Sequence, residues 1–199
     1  MKRSIFYLML LFFGACNQDV STGSFDDAGY VKESIPGSDF IRVEKMNEDG
    51  VLAEMGYLQN GLKTGVWTTY WNDGKRIKSL EHYLNGKKNG PFMRFNDRNR
   101  ILDISHYLND ELHGYHVTYS WGSPSKEIIY NHGKINGEMR VYYDKNGKLQ
   151  KLVNFNNGVQ DGVFKQYDFE GNLILEYMYK NGKKVSGGPV TPETDETVD

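Results

Sequence analysis

Cys16 is the residue of this chain whose type and position most directly indicate a chemical modification. The residues before it are two basic residues, an apolar run and two small residues, namely Lys2, Arg3, residues 5–13, Gly14 and Ala15. A charged start, a short apolar stretch and small residues before a cut are typical of a secretory signal peptide. The apolar run is much shorter than the roughly 20 residues of a membrane-spanning helix. We therefore expect residues 1–15 to be a signal peptide.

The sequence Phe-Gly-Ala-Cys that ends at Cys16 resembles the bacterial lipobox, with Phe13 in place of the usual leucine. The resemblance implies that the signal is cut before Cys16 and that this residue carries lipid. Several acyl chains together anchor a protein firmly to a membrane. Asn17 and Gln18 do not form an acidic inner-membrane retention signal, which favours the outer membrane in a host that has one. The alternative is a plain signal peptide whose cut falls near a cysteine.

Other residues with catalytic or metal-binding chemistry are poorly placed for it. Cys16 is the only cysteine, which excludes an intrachain disulfide and a multi-cysteine metal site. His82 and His106 occupy the same repeat position, but on strands about 9.5 Å apart, twice the strand spacing. We expect no catalytic residue, no metal and no cofactor. An enzyme acting on envelope glycan stays open as an alternative, and it would need Glu81 and Asp103 as a carboxylate pair in a groove.

The chain consists largely of one repeated unit. Each copy begins with a glycine followed by an aromatic-rich strand, and the opening glycines are Gly65, Gly90, Gly114, Gly137 and Gly162. A second apolar segment in each copy ends on an aromatic residue: Tyr83, Tyr107, Tyr130, Phe155 and Tyr179. A more divergent copy occupies residues 40–65. These units predict a repeat domain over residues 39–187, with about six units of roughly 25 residues each.

The repeated unit predicts a β-hairpin. Asn-Gly and Asp-Gly pairs, the strongest short-range hairpin signal, occur ten times in the chain. Each hairpin is marginal alone, so the units must pair edge to edge. The expected fold is all-β, an elongated and twisted antiparallel meander of about twelve strands. Trp67 and Tyr70 lie three residues apart, so strict alternation places them on opposite faces and gives both faces an aromatic surface.

The unit resembles the variant MORN repeat, and the chain is similar to bacterial proteins of the YwqK antitoxin type. The residues that carry the resemblance are Gly-x-Trp/Phe-x-x-Tyr, a turn glycine, and an apolar segment ending in Tyr-x-Asn-Gly, over residues 40–187. The third copy departs most, because Trp121-Gly-Ser-Pro124 replaces its turn and His132-Gly133 replaces Asn-Gly. The resemblance implies an array of hairpins that serves as an interaction or membrane-association module.

The segments outside the repeats carry little apolar sequence. Residues 16–38 are predicted to be a flexible tether, and residues 188–199 an acidic disordered tail. Removing Lys2 and Arg3 takes the net charge from −2 to −4. The repeat region is close to neutral, so we expect no nucleic-acid partner.

These features predict a non-catalytic, lipid-anchored envelope protein that binds an unknown protein or a glycan along its sheet. The aromatic residues outside the repeat consensus are the candidate partner-binding residues: Trp71, Tyr115, Trp121 and Tyr143. The alternative is an antitoxin or immunity protein that neutralises a toxin by binding it. A secretory signal argues against a cytoplasmic antitoxin but not against an immunity lipoprotein in the envelope.

Overall fold

A computed structural model describes residues 25–190, which form one open antiparallel sheet of fourteen strands. The strands pair strictly in chain order, as the sequence predicts for an all-β meander. Their bounds are β1 Tyr30–Ser34, β2 Phe40–Met46, β3 Leu52–Gln59, β4 Leu62–Tyr70, β5 Ile77–Leu84, β6 Lys87–Phe95, β7 Ile101–Leu108, β8 Glu111–Ser120, β9 Ser123–Asn131, β10 Lys134–Tyr142, β11 Leu149–Asn156, β12 Val159–Tyr167, β13 Leu173–Lys180 and β14 Lys183–Pro189. The predicted signal peptide and Cys16 lie outside the described residues.

Two-residue turns join β3 to β4 and each later pair of strands along one edge of the sheet, which we call the short-turn edge; β1 and β2 are joined there by residues 35–39. Both turn residues have positive φ, for example 50° at Asn85 and 80° at Gly86. This is the backbone of the tight hairpin turn that suits the twist of paired strands, and asparagine and glycine adopt it most readily. The same geometry recurs at residues 60–61, 109–110, 132–133, 157–158 and 181–182. The short turns therefore set the register of the meander.

Longer loops join the strands along the opposite, long-turn edge, at residues 47–51, 71–76, 96–100, 143–148 and 168–172. In three of them the first residue is Asn47, Asn96 or Asp168. The side-chain oxygen of that residue accepts two backbone N–H groups of its own loop, as when Asn96 Oδ1 accepts from Arg98 and Arg100. Such side-chain bonds replace the backbone ladder where the strands end.

The opening glycines of the repeat do not form turns, which corrects part of the hairpin prediction. Gly90, Gly137 and Gly162 lie inside strands β6, β10 and β12, with φ of 111°, 118° and 109°. The register shifts beside each of them, so they are bulge positions. Three of the ten Asn-Gly and Asp-Gly pairs are therefore bulges, because positive φ serves a bulge as well as a turn.

The N-terminal boundary of the sheet also differs from the prediction. Strand β1, Tyr30–Ser34, lies within the segment 16–38 that the sequence predicts to be a flexible tether, and it pairs with β2 in full register. Its Tyr30 ring packs against the Val43, Leu58 and Trp67 cluster, and this burial offsets the entropic cost of ordering a short polar segment. At the other end β14 extends to Pro189, and with β1 it brings the sheet from the expected twelve strands to fourteen.

The register divides the side chains between two faces. Trp67 lies opposite Glu81 and on the face of Phe92, Ser105 and His116; we call this the Trp67 face. Tyr70 lies on the other face, the Tyr70 face, where its hydroxyl contacts Met55 Sδ. The expectation that Trp67 and Tyr70 lie on opposite faces is confirmed. The extensive contacts of each strand are with its sequence neighbours, so no second layer covers either face within residues 25–190.

The best-buried part of the sheet is a small cluster on the Trp67 face. Val43, Leu58 and Trp67 form it, and Trp67 is only 1% exposed. Gly56 lies directly beneath the indole, because a Cβ there would come within 2.2 Å of the Trp67 ring. The absence of a side chain at Gly56 lets Trp67 pack onto strand β3, and Trp67 Nε1 donates to the carbonyl of Tyr57 at 3.1 Å.

Candidate partner-binding sites

Three aromatic rings surround the ammonium of Lys63 on the Trp67 face. Lys63 Nζ lies 3.8 Å from the ring centroid of Trp67, 5.0 Å from that of Tyr83 and 5.2 Å from that of Phe25. These four residues are the first cage. Alternation places Lys63 and Trp67 on one face of β4, and the pairing of β4 with β5 adds Tyr83. A cation held against aromatic faces is stabilised by about 0.5–1 kcal/mol when exposed and by more when desolvated.

Phe25 comes from the segment before β1 and forms the third wall of the first cage. Its ring meets Trp67 edge to face at 5.1 Å, and its backbone N–H donates to the carbonyl of Gly61 at 3.3 Å. Lys63 also pairs with Glu54 at 3.3 Å, and the Tyr30 hydroxyl donates to the same carboxylate. Burial, together with that bond to Glu54, raises the pKa of Tyr30 well above its usual value. The first cage is therefore filled by residues of this chain.

A second group with the same chemistry follows one repeat later. Lys88 Nζ lies 4.8 Å from the ring centroid of Phe92 and 5.4 Å from that of Tyr107, and these three residues are the second cage. Glu81 pairs with Lys88 at 3.6 Å and accepts the Tyr83 hydroxyl at 2.7 Å, as Glu54 accepts that of Tyr30. Burial and this bond to Glu81 raise the pKa of Tyr83 strongly. No described residue takes the place that Phe25 has in the first cage.

The next two repeats keep part of this pattern but lose the cation. Leu112 and Ile135 occupy the positions of Lys63 and Lys88 in the earlier copies. The residues four positions later, which correspond to Trp67 and Phe92, are His116 and Met139. His116 and Tyr130 still meet edge to face at 6.2 Å. In the last hairpin Lys184 again meets a ring, that of Tyr177 at 4.5 Å, but among residues 25–190 a lysine against two rings and a carboxylate occurs in the first two copies.

Sequence reasoning missed both cages. It assigned the repeat-position aromatics to cross-strand pairing and did not weigh the lysines. The signal was present, because a lysine follows the turn glycine by two residues in Gly61-Leu-Lys63 and Gly86-Lys-Lys88. The aromatic residue of the same strand follows this lysine by four positions. Because side chains alternate between the two faces of a strand, an even spacing places the lysine and the aromatic residue on the same face.

Trp121 is the most exposed of the four candidate residues named from the sequence, at 81%. It forms the turn between β8 and β9 with Gly122, and its φ of 54° is a left-handed value that tryptophan seldom adopts. Here a two-residue turn replaces the longer loops found elsewhere along the long-turn edge. Trp121 and Gly122, between loops 96–100 and 143–148, form what we call the Trp121 notch.

An open depression lies on each side of the Trp121 notch. One of about 360 Å³ is lined by Leu102, Tyr119, Trp121 and the arginines of loop 96–100. The other, of about 540 Å³, is lined by Thr118, Ser120, Lys126, Tyr142 and Tyr143. Neighbouring loops elsewhere on this edge are joined, since the Arg76 guanidinium donates to the Asp97 carbonyl and Asn146 Nδ2 donates to the Phe169 carbonyl. The short turn at Trp121 interrupts that joined row of loops.

Trp71 and Tyr143 lie on the same edge as Trp121 but have partners within the chain. Each is the first residue of a long loop, in the place that Asn47, Asn96 or Asp168 takes in others. The Tyr143 hydroxyl donates to the Tyr167 carbonyl at 2.8 Å, and its ring packs on Phe169. Lys78 Nζ lies 5.4 Å from the Trp71 ring centroid, and the buried Trp71 Nε1 has no partner in the described part of the chain.

Tyr115 is remote from the other three candidates. It lies beside Gly114 on β8, near the short-turn edge, and is 58% exposed. The carbonyl of Tyr115 accepts a hydrogen bond from His106 Nδ1 at 3.0 Å, and the Pro91 carbonyl accepts from His82 Nδ1 at 2.8 Å in the same way. The structure therefore brings Trp71, Trp121 and Tyr143 to one edge and places Tyr115 elsewhere.

Glu81 and Asp103 share the Trp67 face but do not form a carboxylate pair. They are separated by β6, whose Lys88 and Arg94 each bind one of them. Arg94 Nε donates to Asp103 at 2.7 Å, and this bond raises the pKa of the guanidinium. Each carboxylate is thus neutralised by its own cation, unlike a pair that shares a proton.

A serine and a histidine also meet on this face. Ser105 Oγ lies 2.7 Å from His116 Nδ1, but Ser105 is only 3% exposed, and the nearby Asp103 is bound to Arg94. Burial is the main cause that lowers the pKa of His116. A hydroxyl buried in the sheet cannot reach a substrate carbonyl, so this contact is a structural one.

Two kinds of feature are absent from residues 25–190. This part of the chain contains no helix long and apolar enough to cross a membrane. No three histidine, cysteine or acidic side chains in it are grouped closely enough to hold a metal ion.

Comparison with known proteins gives little similarity. No family model and no curated protein matches the sequence. Among solved structures, a mutant of S. aureus TarM in complex with Fondaparinux, alpha-GlcNAc-glycerol and UDP matches 68% of this chain at 10% identity and a TM-score of 0.30. A crystal structure of TarM matches 66% at 11% identity and a TM-score of 0.27. The chain covers 21% and 22% of those two proteins. At such TM-scores the similarity supports no conclusion on fold or function.

Proposed function

We propose that this protein is a non-catalytic, lipid-anchored protein of the cell envelope whose repeat sheet binds a protein or a glycan. The lipid is carried by Cys16, as the lipobox-like sequence Phe-Gly-Ala-Cys indicates. The hairpin repeats, which resemble variant MORN repeats, serve as the binding module. The proposal places the protein at a membrane surface, with the outer membrane favoured.

The observation that carries the binding role is the exposed Trp121 at the long-turn edge. Trp121 is unfavourable for folding in two respects. Its large apolar side chain is 81% exposed to water, and its backbone has a strained left-handed conformation. Asparagine or glycine at this position would form the same turn without strain, as they do at residues 85–86. Backbone strain of this kind is found at ligand sites, and tryptophan is among the residues that dominate binding energy.

The surroundings of Trp121 suit a partner with both apolar and polar groups. The exposed Leu102 and the Tyr119 ring extend the apolar surface, while Arg98 and Arg100 border the same depression. A central aromatic residue with a polar rim is the usual composition of a binding patch. This supports recognition of a partner surface at the Trp121 notch.

In-cell photocrosslinking tests the binding role. A photoreactive residue is introduced at position 121, and a matched control carries it at Val159, which is 47% exposed near the opposite edge. We expect a specific crosslinked product from position 121 and none from position 159. Equal labelling from both positions would contradict a site at the notch. A captured toxin whose activity the protein neutralises would identify the immunity alternative.

Metabolic labelling with a fatty-acid probe tests the anchor separately. The wild type should be labelled and should fractionate with membranes, and Cys16→Ala should lose both properties. Labelling that persists in Cys16→Ala would overturn the lipid attachment and leave the crosslinking result intact.

A further inference from the structure

We propose that the second cage is a docking site for an aromatic side chain presented by a segment of a partner protein. This inference rests on the proposed binding function and specifies one site and one class of partner. It follows from a comparison of the second cage with the first, in which this chain supplies such a side chain itself.

The first cage shows how the docking works. Phe25 inserts its ring against Trp67 and Lys63, and its backbone N–H reaches the carbonyl of Gly61 in the adjacent short turn. The contact therefore combines a ring against a cation with one backbone hydrogen bond at a turn glycine. Neither of these two interactions requires the incoming residue to lie in a β-strand, because Phe25 precedes β1.

The second cage has residues equivalent to those that surround the Phe25 ring in the first cage. Lys88, Phe92 and Tyr107 take the places of Lys63, Trp67 and Tyr83, and the adjacent turn glycine is Gly86. Phe92 and Tyr107 meet edge to face at 6.0 Å, as Trp67 and Tyr83 do at 6.2 Å. Both cages therefore offer an incoming ring a lysine ammonium, two rings that meet edge to face and a nearby turn glycine.

The second cage also has a charge arrangement that favours a ring over a second anion. Glu81 already neutralises Lys88 at 3.6 Å, and Asp110 accepts the Lys88 backbone N–H at 2.7 Å. An additional carboxylate would meet these two acidic groups. An aromatic ring carries no net charge and still interacts favourably with the ammonium.

A depression beside the first cage reaches the turn that precedes Lys88, although Lys88, Phe92 and Tyr107 do not line it. It has a volume of about 280 Å³ and is lined by Phe25, Leu62, Lys63, Tyr83 and Gly86. It begins at the Phe25 ring and ends at the turn beside the second cage, so the surface on which Phe25 docks continues toward Lys88. A partner segment would extend an interface that this chain has already begun.

A synthetic peptide of residues 22–31, Thr-Gly-Ser-Phe-Asp-Asp-Ala-Gly-Tyr-Val, provides a defined probe. It is titrated by calorimetry into the full chain purified in detergent. We expect one peptide per chain in the wild type, and two in Phe25→Ala, where the first cage is also vacated. Replacing the phenylalanine of the peptide by alanine should abolish binding.

Two lysine variants locate the site. Lys88→Gln should weaken peptide binding at least tenfold in the wild-type background, whereas Lys87→Gln, the neighbour on the opposite face, should leave it unchanged. No saturable binding to the wild type, or equal binding by the two variants, would overturn the proposal. These variants suffice even if Phe25→Ala does not fold.

The outcomes also separate this proposal from the proposed function. If position 121 captures a partner in cells but the peptide does not bind, the second-cage site is wrong and the binding module stands. If the chain forms a dimer that is lost in Phe25→Ala and in Lys88→Gln, the cage is occupied by a second copy, and the foreign partner is excluded.

Discussion

The N-terminal end of the sheet, residues 25–84, and its centre, residues 87–142, are built from the same repeat but use their aromatic residues differently. At the N-terminal end Phe25, Tyr30 and Tyr83 pack around Trp67, which is 1% exposed. In the centre Phe92 and Tyr107 are half-buried, and Trp121 is 81% exposed. One end therefore uses its aromatic surface for folding, and the centre leaves that surface available.

The cause of this difference is a small number of substitutions between copies. Gly56 removes the side chain beneath Trp67, whereas the position facing Phe92 is held by Glu81. A ring can lie flat on strand β3 but not on strand β5. A single-layer sheet has no second layer to bury the remaining rings, so the residue facing each ring decides whether it becomes core or surface.

The largest expected effect comes from removing the central ring of each region. Trp67→Ala should lower the free energy of unfolding by about 3–5 kcal/mol, because it leaves a large cavity in the one buried cluster. Phe92→Ala should cost only about 1–2 kcal/mol, because the ring is half-exposed already. Urea denaturation of both variants measures the difference. Equal losses would mean that the second cage is as much a part of the core as the first.

A smaller effect is expected from the residue beneath the ring. Gly56→Ala should cost about 1–3 kcal/mol, since the new methyl would overlap the indole, with 2.2 Å between Cβ and the Trp67 ring. The matched control is Gly188→Ala in β14, where the new methyl would meet nothing within 4 Å and the backbone is not left-handed, so it should cost little. The double variant Gly56→Ala with Trp67→Ala should lose little more than Trp67→Ala alone. Full additivity would show that the two residues do not interact.

Several of these features could be predicted from the sequence, and others could not. The Asn-Gly turns at residues 60–61, 85–86 and 181–182 indicated the meander, because few other backbones suit those dipeptides. The bulges at Gly90, Gly137 and Gly162 were not foreseen, because a glycine with positive φ serves a turn and a bulge equally. Strand β1 was missed since its five residues are mostly polar and are ordered by pairing with β2.

The candidate site was predicted only in part, for a related reason. Trp71, Trp121 and Tyr143 stood out as departures from the repeat, and the fold brings them to one edge because each directly follows an even-numbered strand. The cages depend on which residue of a neighbouring strand lies opposite, as when Tyr107 of β7 lies opposite Gly90, between Lys88 and Phe92 of β6. The lysine and the aromatic residue four positions later could be placed on one face from their spacing. The ring from the neighbouring strand could not, because that register follows from the bulges.

An effect of opposite sign is expected at the notch. Trp121→Asn should raise the free energy of unfolding by roughly 1 kcal/mol, because asparagine adopts the left-handed conformation with less strain. The reciprocal change Asn85→Trp, in the corresponding turn of the short-turn edge, should lower it by a similar amount. Thermal unfolding of the two variants checks the prediction. A loss of stability in Trp121→Asn would show that the indole is a structural contact and not a surface kept for a partner.

The smallest effect expected is a pH dependence at the centre of the Trp67 face. Burial lowers the pKa of His116, so the unfolded chain, with an ordinary histidine pKa near 6.5, binds a proton more readily than the folded chain. The stability contributed by neutral His116 is therefore complete above about pH 6.5 and is lost as the pH falls from there toward the lowered pKa. His116→Gln should reduce the drop in urea midpoint between pH 7.5 and pH 5.5. Because Trp67 and Tyr83 contain no group that titrates in this range, Trp67→Ala should keep the wild-type drop. An unchanged drop in His116→Gln would show that His116 does not cause the acid sensitivity.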